Sequence, residues 1–117
     1  MKSKFYAICF FTILGAMMLV SSAALAASSQ EIAYAQELIC GKWKGADGRE
    51  IKITRNGFAL APYTIQDVSN EDGEIVITVA VSGGKTIDTL TFEQGDEDNM
   101  YLYNMTTGFS MEYTRIE

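Results

Sequence analysis

From Gly41 to the end of the chain, apolar residues recur at every second position and the runs are cut short by turn residues. Ile75, Ile77, Val79 and Val81 form the cleanest of these alternations. A side-chain period of two puts successive residues on opposite faces of an extended strand, so one face is apolar and is buried. Turn signals separate the runs: Asp47-Gly48, Asn56-Gly57, Asn70-Glu71-Asp72-Gly73, Ser82-Gly83-Gly84-Lys85, Gly95 to Asn99 and Thr106-Thr107-Gly108. Between them lie Trp43, Ile51 and Ile53, Phe58 and Leu60, Tyr63 and Ile65, Leu90 and Phe92, Met100 to Met105, and Phe109 to Ile116. This predicts seven or eight short strands. No connection is long enough for a crossover helix, so the sheet is expected to be antiparallel: an all-β, up-and-down meander closing into a small barrel.

One segment before this region has a different period. Ser28-Ser29-Gln30-Glu31 reads as a capping box, with Ile32, Ala35, Leu38 and Ile39 spaced by three and four residues after it. A short amphipathic helix is expected over about 29–39, ended by Gly41.

The first 26 residues read as an address. Met1 to Lys4 is basic, Phe5 to Val20 is uncharged and apolar, and Ser21 to Ala26 is mostly small and ends Ala-Leu-Ala. These are the parts of a cleaved secretory signal, and the apolar run falls short of the roughly 20 residues needed to span a membrane. The expected mature domain is 27–117, periplasmic or secreted, with no stable membrane insertion. Cys9 leaves with the signal, so Cys40 is the remaining thiol, free or linking two copies as a dimer. Losing Lys2 and Lys4 leaves seven bases against fifteen acids, a net charge of −8. That charge argues against nucleic-acid binding.

With no histidine anywhere, Ser-His-Asp and Cys-His catalysis and histidine-ligated zinc are excluded. The carboxylates sit mainly at turns, and nothing marks two of them as facing a cleft. Asp96-Glu97-Asp98-Asn99 lacks the alternate spacing of a calcium loop and reads as a solvated hairpin tip. Neither enzymatic chemistry, a cofactor nor a metal is expected.

Gly41-Lys42-Trp43 at the first strand and Thr114-Arg115-Ile116 at the last resemble the calycin superfamily, the lipocalins and fatty-acid-binding proteins. In the fatty-acid-binding proteins an aromatic follows the Thr-Arg-Ile; here Glu117 stands in that place. The resemblance implies an up-and-down barrel with the tryptophan near its closed end and the arginine lying across it. It also implies a small hydrophobic ligand held near Trp43, Tyr113 and Arg115.

Strand parity, taken alone, puts Phe109, Met111, Tyr113 and Arg115 on one face. Two placements of Arg115 are then open: inward on the Trp43 indole, or curled out to solvent near the C-terminus. Tyr101 and Tyr103 share a face opposite Met100 and Leu102. Turned outward, they would offer a stacking surface for a partner. Two functional expectations follow: a lipocalin-like binder of a small apolar ligand or partner, or an exported protein-binding module such as an inhibitor of a protease or lysozyme. An acidic domain suits a cationic target.

Overall fold

The structure, a computed structural model, describes residues 28–117. The signal expected at 1–26 and Cys9 lie outside the described residues.

Helix α1 spans Ser29–Ile39. Its N-terminus is the capping box read from the sequence: Ser28 Oγ accepts from the Glu31 N–H at 3.1 Å, and Glu31 Oε1 accepts from the Ser28 N–H at 2.9 Å. Ala35, Leu38 and Ile39 form its buried stripe. The helix does not end on Gly41. Cys40 is already extended, and Gly41 is the first residue of β1.

Seven strands follow: β1 Gly41–Gly45, β2 Glu50–Ile53, β3 Tyr63–Glu71, β4 Glu74–Val81, β5 Thr86–Glu93, β6 Asn99–Asn104 and β7 Ser110–Arg115. They form one sheet in the order β2-β1-β7-β6-β5-β4-β3, antiparallel throughout and curled into a half-barrel. The expected all-β meander with one short helix is the fold. Asp72 and Gly73 both have positive φ, 53° and 78°, as the two-residue hairpin between β3 and β4 requires.

The connectivity explains why the barrel stays open. Six antiparallel pairings separate β2 from β3, so those two edge strands run in the same direction. A ladder between them would be parallel, which needs a crossover of a dozen or more residues. Residues 54–62 are too few. They do not form the strand expected at Phe58 and Leu60 either. Phe58 bridges back to Ile53 and forward to Ala61, across a tight turn at Ala59 and Leu60 with φ of 51° and 83°. Helix α1 packs against β3 beside the gap. Gln36 Nε2 donates to the Arg55 carbonyl at 3.2 Å and to Tyr63 Oη at 2.9 Å, and Tyr63 Oη donates to the Thr54 carbonyl at 2.7 Å. A helix side chain and a tyrosine thus tie together the segments that no ladder joins.

The core lies on the concave side. Trp43, Ile53, Ile77, Val79, Leu90 and Phe92 from the strands meet Ala35, Leu38 and Ile39 of α1. Each of the larger aliphatic and phenylalanine side chains contributes roughly 1.5–3 kcal/mol when fully buried. Trp43 and Phe92 meet edge to face, with centroids 5.9 Å apart.

Candidate functional site

The residues singled out in the sequence fall into two separate places. Trp43 and Arg115 come together directly, since Trp43 pairs with Arg115 in the β1–β7 register. The guanidinium carbon stands 4.3 Å from the indole centroid, an attractive cation–π arrangement. Of the two placements open from parity, the inward one holds.

What surrounds the pair was not legible in the sequence. Arg115 Nη1 donates to the Cys40 carbonyl at 2.8 Å, and Nη2 donates to the Leu38 carbonyl at 2.7 Å and the Glu97 carbonyl at 3.0 Å. Its Nε lies 3.2 Å from Asp98 Oδ1. Trp43 Nε1 donates to the Ile39 carbonyl at 2.9 Å. The last carbonyls of a helix have no partner inside it, and their negative end favours a cation. Trp43 and Arg115 therefore cap α1 from outside, a clasp joining the helix, the first strand, the last strand and the 97–98 turn.

Gly41 now has a different reason from the one expected. A Cβ there would lie 2.5 Å from Arg115 Nη1 and 2.8 Å from the Glu117 carbonyl oxygen, and its φ is 150°. The glycine makes room for the guanidinium and does not terminate the helix. The Asp96–Asn99 turn likewise does more than face solvent, because its backbone and Asp98 hold Arg115.

Tyr113 is buried, in phase with Met111 and Arg115 on β7, while Phe109 precedes the strand and is exposed. Burial chiefly, with the Asp47 and Asp88 carboxylates adding to it, pushes the Tyr113 phenol above its ordinary range; Arg49 opposes this. Asp88 is the residue the sequence reading overlooked. It is the only charged side chain in the buried set among the described residues, at 5% exposure. The signal was available, because Asp88 is in phase with Leu90 and Phe92.

Cys40 is half-buried where α1 meets β1. Desolvation pushes its thiol above the ordinary range, outweighing the Tyr63 hydroxyl and the Arg55 and Arg115 charges. At neutral pH it is a thiol, without the thiolate a nucleophile needs.

Tyr101 and Tyr103 are elsewhere, on the outer face of β6, at 44% and 41% exposure. Thr91 and Thr89 stand opposite them on β5, Glu112 and Ser110 on β7. Beside Tyr101 an open groove of about 300 Å³ is lined by Glu74, Glu93, Asp96, Glu112 and Thr91, with no lysine or arginine in its wall. None of these four carboxylates forms an ion pair among the described residues. Lys42 and Lys52 instead face each other across β1 and β2, with Lys44 two residues along β1. Among the described residues no three of Cys, Asp and Glu are gathered to hold a metal ion.

No family model, curated protein or solved structure matches this chain.

Proposed function

We propose that this is an exported, non-enzymatic, calycin-like domain that binds a cationic partner protein through the outer face of β5, β6 and β7. The calycin likeness is supported by the Trp43–Arg115 pair, which links the first and last strands of a curled meander. The observation that carries the partner reading is the exposed Tyr101–Tyr103 pair beside four carboxylates that form no ion pair among the described residues. Tyrosine supplies rigid, amphipathic contact area, and a lysine or arginine can stack on it while meeting the acids. The concave side offers less to a small ligand, since α1 fills it with Ala35 and Ile39, both fully buried.

The test is affinity capture of exported proteins from the source organism by the wild type and by a Tyr101→Ala/Glu112→Lys double variant, at low and high salt. The reading expects a discrete basic protein that is retained by the wild type, released by salt and lost with the variant. Identical captures by the two forms would refute it. An apolar adduct on the wild type in native mass spectrometry, with no protein captured, would replace it by a small ligand held near Trp43, Tyr113 and Arg115.

A further inference from the structure

Strand parity turns Asp88 inward, in phase with Leu90 and Phe92, and its surroundings offer it no partner among the described residues. Its cross-strand neighbours are Val79 on β4 and Asn104 on β6, both uncharged. The Asn104 side-chain oxygen already accepts from the N–H groups of Thr106 and Thr107 at 2.9 Å. On β7 Tyr113 stands opposite Met100 of β6 and not opposite Asn104, and the β1–β2 turn beyond it carries Asp47 and Arg49, paired with each other at 3.4 Å. Among the described residues nothing donates a hydrogen bond to the Asp88 carboxylate and no cation pairs with it. An ionised carboxylate buried in this way is far more costly than a neutral one, and the site is relieved by taking up a proton.

We propose that Asp88, buried on β5, is a pH-sensitive latch, which takes up a proton as the domain folds: acid tightens the sheet around β5, and ionisation loosens it. The direction agrees with the desolvation that pushes the Asp88 carboxyl above its ordinary range. In the unfolded chain an aspartate releases its proton near pH ~4. Above that pH the native state binds more protons than the unfolded one, so stability falls with rising pH until native Asp88 has titrated, and then levels off. The latch does not depend on the partner reading. For a domain outside the cytoplasm it would couple stability to the pH of the surroundings.

Urea unfolding of the wild type and Asp88→Asn between pH ~3.5 and ~8 tests this, with the wild-type carboxyl followed directly by ¹³C NMR. Asparagine mimics the protonated form. The folding equilibrium constants should converge in acid and separate by at least about tenfold, in favour of the variant, by neutral pH. The wild-type Asp88 carboxyl should titrate above the ordinary aspartate range. Parallel pH profiles for the two proteins, or a carboxyl titrating at or below that range, would overturn the proposal. The NMR titration decides the matter even if the variant folds poorly.

Discussion

Arg115 is the side chain on which the largest number of separate segments depend, and its replacement tests the account of the fold most directly. Its guanidinium donates to three main-chain carbonyls, from Leu38, Cys40 and Glu97, and lies on Trp43. Hydrogen bonds to a charged group contribute about 1.5–3 kcal/mol each, and a partly desolvated cation–π contact about 1 kcal/mol. These values do not add within one network. The side chain is also 21% exposed, so water reaches part of what it leaves behind. Arg115→Met keeps much of the packing volume and removes every donor, and should cost about 3–4 kcal/mol. Arg115→Lys keeps the charge but cannot span three acceptors with one ammonium, and should cost about 2 kcal/mol. Against a typical total of roughly 5–15 kcal/mol, the lysine variant stays folded and measurable. The single tryptophan of the chain is Trp43 itself, so its fluorescence reports on this site during urea unfolding. The midpoint should drop with little change in slope. A loss under about 1 kcal/mol for Arg115→Met, or a lysine variant equal to the wild type, would refute the capping role.

The neighbouring positions give further outcomes. Gly41→Ala places a methyl against Arg115 Nη1 and the Glu117 carbonyl, and should destabilise by about 2–3 kcal/mol in the same urea assay. Combined with Arg115→Met, its effect should shrink, because one of the two clashes is gone. Asp98→Asn removes only the largely exposed partner of Arg115 and should change stability by less than about 0.5 kcal/mol. Leu60 is fully exposed at φ 83°, so Leu60→Asn should raise the unfolding midpoint, worth about 0.5–1 kcal/mol, by easing left-handed strain without loss of core.

The helix and most of the strands could be read because their causes are local. Ser28 and Glu31 cap within one turn, and Ile75 to Val81 declare their buried face by parity alone. The segment 54–62 could not be read in the same way. Phe58 and Leu60 alternate like a strand, but whether a strand forms there depends on a partner, and the space beside β3 is taken by α1. Tyr101 and Tyr103 were legible as a shared face, whereas their outward direction required the opposite face, Met100 and Leu102, to be buried. Gly41 was misread as a helix terminator because the group that demands it, the Arg115 guanidinium, lies at the far end of the chain.

By itself the sequence determined the fold class, the helix and its cap, most of the turn positions and the absence of histidine chemistry. Each is set by residues within a few positions of one another, or by composition. Only the tertiary structure decided that Arg115 closes the helix, that the barrel stays open between β2 and β3, and that Asp88 is buried with no partner among the described residues. Those outcomes turn on which carbonyl, strand edge or charge arrives from a distant part of the chain, and hydrogen bonding and desolvation are fixed by that arrival.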